Sequence, residues 1–158
     1  MPTSTIIIIA VIVVVCVVGM IVAMKVFGAA KEKAKAFKAE ALRSGAVVNC
    51  YGEIISVDGN KPIRGQDFVT GGDMETVLRL APGAHHFQAK FSTTETRLGG
   101  NKTFDTGQVD FDAQLQHGVE YTIGLYEDQG DPSKTITLLE MQTSGVMGHT
   151  WYLTLEAR

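Results

Sequence analysis

The chain's most constraining feature is an apolar run from Ile6 to Phe27, in which Lys25 is the only charged residue. At about 1.5 Å rise per residue, a helix of this length crosses the roughly 30 Å hydrocarbon core of a bilayer. Backbone groups in lipid must satisfy their own hydrogen bonds, so the run is predicted to be helical despite its many β-branched residues. We therefore predict a transmembrane anchor over residues 1–27, followed by a part held at a membrane surface.

A cleaved secretory signal is the alternative to a retained anchor. The segment before the run, residues 1–5, has no charged side chain, and the run exceeds the roughly 7–15 residues of a signal core. Gly28-Ala29-Ala30 could nevertheless serve as a cleavage site. We favour the anchor. The flanking Lys and Arg residues all lie at or after its C-terminal end. The positive-inside rule therefore predicts the N-terminus outside and the rest of the chain, including the β-domain predicted below for residues 46–158, in the cytoplasm. A periplasmic or extracellular β-domain is the alternative.

Small residues recur on one face of the anchor. Gly19 and Ala23 have the small-xxx-small spacing that lets two helix backbones approach closely, and Cys16 lies on the same face. We predict that these three residues form a helix-packing interface. A lipid-facing anchor without a specific partner is the alternative.

A second helical segment follows over residues 28–45. It is rich in Ala, Lys and Glu, which favour helix, and Ser44-Gly45 is a typical C-terminal cap. A thin apolar stripe recurs at helical spacing, formed by Ala30, Ala34, Phe37 and Ala41. Bulky residues would suit a membrane surface better, so the stripe predicts contact with a partner helix.

Charge divides the chain into two parts. The first 44 residues carry a net charge of +4, and the remainder carries −7. The basic part suits anionic lipid head groups, and the acidic part argues against nucleic acid as a partner. The two cysteines, Cys16 and Cys50, provide no disulfide framework, which fits a reducing compartment.

Residues 46–158 show short β-rich or alternating segments separated by turn signals. About seven such segments predict an all-β antiparallel sandwich, which we expect to fold without the anchor. Pro82-Gly83 is a predicted structural turn with Gly83 at positive φ. The polar stretch 94–102 is predicted to be a loop.

Two pieces of this region resemble PEGA-type β-sandwich domains. Val57-Asp58-Gly59 is similar to their "V-D-G" turn, and the stretch 80–89, LAPGAHHFQA, resembles their "L-x-P-G-x-H" hairpin. The stretch 116–122, QHGVEYT, is similar to a strand entry in related bacterial envelope proteins. The resemblance covers about residues 50–125. It implies a β-sandwich fold and a binding or structural module, which in such proteins is often outside the cytoplasm.

No catalytic signature is present: the chain has no nucleophile elbow, phosphate-binding Gly loop or zinc motif. Asp105, Asp110 and Asp112 could collect a calcium ion with the 128–131 loop, and His85-His86 could bind a metal, but a solvated strand face and ordinary hairpin histidines are favoured. We expect no enzyme activity, cofactor or metal. The chain is predicted to be a non-catalytic accessory subunit of a respiratory, photosynthetic or envelope complex, with lipids and other transmembrane subunits as partners. A membrane-tethered module that binds a ligand or peptide is the alternative.

Overall fold

A computed structural model of the protein describes residues 3–97, 100–127, 135–142 and 150–157. Its first element is one helix, α1, which runs from Thr3 to Ser44. These 42 residues give a rod about 63 Å long. The predicted anchor and the predicted second helical segment are therefore parts of one unbroken helix, and a β-region follows it, as expected.

Nine strands follow α1 within the described residues, where the sequence predicted about seven. They are β1 (Ala46–Cys50), β2 (Glu53–Val57), β3 (Phe68–Thr70), β4 (Thr76–Leu80), β5 (Gly83–Arg97), β6 (Gly100–Leu115), β7 (Glu120–Glu127), β8 (Thr135–Gln142) and β9 (Thr150–Ala157).

The strands form two sheets. One has the order β3-β4-β1-β7-β9-β8, and the other has the order β2-β5-β6. The pairings are antiparallel with one exception, since β1 and β7 are parallel, with Val47 opposite Glu120 and Cys50 opposite Ile123. The expectation of a fully antiparallel arrangement is therefore wrong at this pair. Parallel pairing is possible because the two strands are far apart in the chain and need no tight turn between them.

The two longest strands, β5 and β6, form a hairpin that pairs from Gly83 opposite Leu115 to Arg97 opposite Gly100. A register shift between Lys90 and Ser92 interrupts the ladder. The prediction of a loop over 94–102 is wrong for the described residues of that stretch, because they form the arms of this hairpin.

Three layers result from this arrangement. The C-terminal part of α1 packs on one face of the six-stranded sheet, and the three-stranded sheet packs on the other. Strand β1 lies in the middle, and all five of its residues are buried. The main core fills the space between the sheets and contains the fully buried Val48, Cys50, Leu78, Phe87, Ala89, Phe91, Ile123 and Leu153. A smaller cluster lies between α1 and the six-stranded sheet.

Contacts along α1 define the two ends of the β-region. Gly72 lies against the side chain of Lys31, whereas Gly118 lies beside the Leu42 carbonyl and donates a hydrogen bond to the Gly45 carbonyl. We call the end that contains Gly72 the proximal end, because it faces back along α1 towards the apolar segment. The end that contains Gly118 is the distal end.

Candidate functional site

The apolar part of α1 has no cover within the described structure. An 18-residue window of the helix has a mean hydropathy of 2.6, and none of it is buried inside the protein. This is the one described helix that is long and apolar enough to cross a membrane. Cys16 and Ala23 are exposed, and a Cβ added at Gly19 would meet nothing within 4 Å. The predicted packing face is therefore open to a neighbour.

The apolar stripe further along α1 contacts the chain's own sheet. Ala34 and Ala41 are buried in one cluster with Val47, Val69 and Val77, and Phe37 packs against that cluster. Ala30 is half-buried and lies outside it. For Ala34, Phe37 and Ala41 the predicted partner helix is thus replaced by the six-stranded sheet. The small side chains of Ala34 and Ala41 allow α1 to approach the sheet closely.

An ionic network fastens α1 to the same sheet face. The Lys38 ammonium lies 3.1 Å from Glu120 Oε1 and 3.9 Å from Glu75 Oε1. Asn49 Nδ2 donates hydrogen bonds to Glu120 Oε1 at 2.7 Å and to the Tyr121 carbonyl at 3.1 Å. Glu75 is largely buried, so Lys38 supplies the positive charge that offsets a carboxylate removed from water.

A second cation completes the attachment. The Arg79 guanidinium lies 5.6 Å from the centroid of the Phe37 ring, within the range of a cation–π contact. Its nitrogens also lie 3.7 Å from Glu40 Oε1 and 2.9 Å from the Gln66 carbonyl. Neither network could be recognised from local residues, because the charged residues that α1 contacts, Glu75, Arg79 and Glu120, lie tens of residues beyond its end.

A cleft of about 380 Å³ opens at the proximal end. This volume is within the range typical of small-ligand sites. It is lined by Tyr51, Gly52, Glu53, Met74, Lys90, Ser92 and Asp105. Gly52 is required here, because a Cβ would lie 2.5 Å from the Phe91 ring. The lining is mostly polar, and Tyr51 and Met74 are its exposed aromatic and apolar members.

An ion pair forms one wall of this cleft. Lys90 Nζ lies 2.9 Å from Asp105 Oδ2, with both side chains about half exposed. The hydrogen bond between them raises the pKa of Lys90 and lowers the pKa of Asp105. Both groups are therefore charged at neutral pH. They can orient a polar ligand, but neither is tuned as a proton donor or acceptor near pH 7.

The Val57–Gly59 turn and the start of β5 meet at the distal end through Asp58. Its Oδ1 accepts a hydrogen bond from the His86 amide at 2.8 Å, and its Oδ2 lies 2.7 Å from His85 Nδ1. These bonds, the amide bond first, hold the pKa of Asp58 below its usual value. His85 Nε2 lies 2.8 Å from the Ala81 carbonyl, so the ring bridges the Asp58 carboxylate and the turn before β5. The cluster therefore connects two turns and has a structural role.

The neighbouring groups do not assemble a metal site. His86 Nδ1 lies 2.8 Å from Asp112 Oδ1 and His86 Nε2 lies 3.9 Å from Asp110 Oδ1, all on an exposed strand face. Among the described residues, no group of three or more His, Cys, Asp or Glu could hold a metal ion. The 128–131 loop, which the calcium alternative required, lies outside the described residues.

The remaining predicted features are structural. Gly83 has a φ of 134°, so its backbone conformation favours glycine as predicted. That value is more extended than the roughly 80° of a type II turn. Burial raises the pKa of the Cys50 thiol to about 12, so this cysteine is an inert core residue. No family model, curated protein or solved structure matches the chain.

Proposed function

We propose that the protein is a non-catalytic, single-pass accessory subunit of a membrane complex. Its apolar helix packs among other spans, and its sandwich-like β-domain stabilises the assembly at the membrane surface. The observation that carries the proposal is the continuity of α1, which passes without a break from an uncovered apolar segment into the smaller buried cluster against the six-stranded sheet.

This continuity favours a structural role over a flexible tether. Gly45 is the single residue between α1 and β1, and the helix is held to the sheet by buried alanines and by Lys38 and Arg79. A tethered binding domain gains reach from a flexible linker. Here, rotation or displacement of the span would move the β-domain with it, as a subunit that fixes the geometry of an assembly requires.

The proposed partners are lipids and neighbouring transmembrane helices. The face formed by Cys16, Gly19 and Ala23 offers close backbone contact, on which helix association in lipid depends. By the distribution of Lys and Arg, the β-domain lies in the cytoplasm. The PEGA-like turns support a binding or structural module, and an envelope machine with the β-domain outside the cytoplasm is the alternative setting.

The test is co-purification from native membranes in mild detergent. We expect Gly19→Leu to keep the protein in the membrane, since the span stays apolar, but to lose its partners because the larger side chain separates the two backbones. Val14→Leu, on a different face, is the matched control and should retain them. Equal recovery of partners with Gly19→Leu and wild type would contradict the packing mechanism and leave a simple anchor.

The second candidate is a membrane-tethered ligand-binding module. The proximal cleft, with an exposed Tyr51 beside the Lys90–Asp105 pair, favours it. Screening the detergent-solubilised full chain against glycans and short peptides by thermal shift would test this candidate. A genuine cleft ligand should stabilise wild type and should lose its effect with Tyr51→Ala, while Ile63→Ala, on an exposed residue outside the cleft, should retain it.

A further inference from the structure

We propose that the proximal end of the β-region rests on the lipid–water interface, with Tyr51 and Met74 entering the head-group layer. This inference rests on the proposed membrane anchor and adds a second, previously unassigned contact between the protein and the bilayer. It assigns a partner, the lipid surface next to the span, to a specific surface of the β-region.

The direction of the strands places this surface. Contacts between α1 and the β-region follow one order along the helix: Lys31 with Gly72, then Phe37 with Arg79, then Leu42 with Gly118. Strand β1 leaves the distal end at Gly45 and ends at Cys50, so Tyr51 follows directly at the proximal end. Met74 belongs to the loop that precedes β4 at the same end.

The height of this end above the hydrocarbon can be estimated from the helix. Lys31 lies four residues after Phe27, the last residue of the apolar run, which corresponds to a rise of about 6 Å. The interfacial layer on each side of a bilayer is roughly 5–7 Å thick. The Gly72 loop, which contacts Lys31, therefore lies at the level of the head groups when the apolar run is in the membrane.

The exposed residues at this end have the chemistry that interfaces favour. Outside α1, the described large hydrophobic side chains that are exposed are Met74 (80 %), Ile63 (57 %), Tyr51 (46 %) and Tyr126 (41 %). Three of these four, Met74, Tyr51 and Tyr126, lie at the proximal end. Tyr126 belongs there because β7 runs parallel to β1 and Tyr126 is near its C-terminal end, opposite Tyr152 of β9. Tyrosines are enriched at membrane interfaces because an apolar ring and a polar hydroxyl suit the head-group region.

Ile63 provides the contrast. Its amide donates a hydrogen bond to Asp67 Oδ2, and the Asp67 carbonyl accepts one from the Arg79 amide, so Ile63 lies near the level of Arg79, farther from the apolar segment than the Gly72 loop. The Ile63 side chain is exposed, like that of Met74, but the proposed bilayer would not reach it. This difference makes Met74 and Ile63 a matched pair of reporter positions.

Charge and polarity define how deep the contact extends. The exposed Lys31, Lys33 and Lys35 follow the apolar run on α1 and can reach lipid phosphates. The arms of the β5–β6 hairpin continue beyond Lys90 with polar residues such as Ser92, Thr94 and Thr103. The arms run seven residues past Lys90, about 23 Å, which exceeds the head-group layer. The contact is therefore interfacial only with the hairpin bent along the membrane surface at the register shift between Lys90 and Ser92, which keeps its polar side chains out of hydrocarbon.

The experiment measures depth in the full-length protein, reconstituted in vesicles of phosphatidylethanolamine and phosphatidylglycerol. Trp151→Phe removes the only tryptophan of the chain. In that background, Met74→Trp and Ile63→Trp each introduce one reporter. We expect Met74→Trp emission to shift to the blue and to lose intensity with lipids spin-labelled at the head group or upper acyl chain, whereas Ile63→Trp should be unaffected.

Tyr51→Trp is a second proximal reporter, which keeps the test decisive if Met74→Trp fails to fold. Absence of quenching at both proximal positions, or equal quenching at Ile63→Trp, would overturn the inference. Flotation of the protein with the vesicles separates this failure from failure of the anchor. Protein that does not float contradicts the anchor itself, whereas protein that floats without quenching contradicts only the interfacial contact.

Discussion

The two halves of α1 have the same backbone and opposite surroundings. Residues 12–20 and 22–26 of the helix expose their large apolar side chains, which in Val15 and Met20 are more than half accessible. Seven residues beyond Phe27, Ala34 begins the part that is buried against Val69 and Val77 of the same chain. Within the described residues, the chain thus covers only the less hydrophobic half of its helix and leaves the more hydrophobic half without cover.

This contrast shows that hydrophobicity alone does not identify which helix face the fold will use. In the covered half, small side chains and paired charges decide the contact, because a helix packs closely on a sheet where its residues are small. In the uncovered half, the composition is apolar all round, which is typical of a helix surrounded by lipid or by other spans. The predictions below test how far the two halves are independent.

The largest effect is expected from removing the covered half. A fragment of residues 28–158 should be folded and soluble, whereas a fragment of residues 46–158 should be unfolded or aggregated. The second fragment exposes Val47, Val69 and Val77, at roughly 1.5–3 kcal/mol for each buried side chain, against a total stability of about 5–15 kcal/mol. Circular dichroism and size-exclusion chromatography distinguish the two outcomes.

This prediction revises the expectation from sequence that residues 46–158 fold alone. The reason is the second cluster, in which α1 covers one face of β1 and β4. If the shorter fragment melts cooperatively at the same temperature as the longer one, the helix contributes nothing to the stability of the domain and its packing against the sheet is incidental.

A smaller effect is expected from a change in side-chain volume at the contact. Ala41 is fully buried against the sheet, so Ala41→Leu should lower the free energy of unfolding by roughly 1–3 kcal/mol through overpacking. Ala39→Leu makes the same change on an exposed position of the same helix and should be nearly neutral. Urea denaturation of the 28–158 fragment provides the comparison. Equal stability of the two variants would show that α1 does not sit tightly on the sheet.

The ionic attachment should contribute less than the apolar contact. Lys38→Met removes the cation beside Glu75 and Glu120, and we expect a loss of roughly 1–2 kcal/mol because the largely buried Glu75 carboxylate is left uncompensated. Lys35→Met removes an exposed lysine and is the control. Thermal melts at low and high salt measure the melting temperatures of both variants. An identical melting temperature for the two variants would leave Lys38 without a role in holding the helix.

The smallest effect on stability is expected from a substitution at the distal end, far from the apolar half of α1. Because the folded-state pKa of Asp58 is lowered, its ionised form stabilises the fold above pH about 4, and that contribution disappears as the pH falls through the folded value. Asp58→Asn should therefore lower the melting temperature at pH 7, and its difference from wild type should narrow below pH 4. A difference that stays constant from pH 7 to pH 3 would exclude the carboxylate charge as the cause.

The sequence predicted the elements with strong periodicity or turn chemistry. The apolar run, the Ala-rich continuation ended by Ser44-Gly45 and the positive φ of Gly83 could all be recognised from local residues. The outer parts of the β5–β6 arms, over residues 94–97 and 100–102, could not, because a polar strand paired on an exposed ladder has no hydrophobic alternation. Their polar residues and the adjacent glycines instead resemble a loop.

Non-local contacts were also beyond sequence reasoning. In β4, Val77 and Leu78 are consecutive and both buried, because one faces α1 and the other faces the second sheet. A strand covered on both sides loses the alternation that marks its faces. The proximal cleft is assembled from four separate stretches of the chain, so no single motif could indicate it.

The parallel β1–β7 pair has a consequence for synthesis. Strand β1 emerges from the ribosome immediately after α1, yet its partner β7 begins at Glu120, more than seventy residues later. Pairings of such sequence separation form slowly because a long loop must close first. The edge of β1 that pairs with β7 must therefore wait until most of the chain has been translated, and Val48, on the side opposite α1, stays uncovered during the early part of that time. Late completion of the fold leaves that edge of β1 unpaired for most of synthesis.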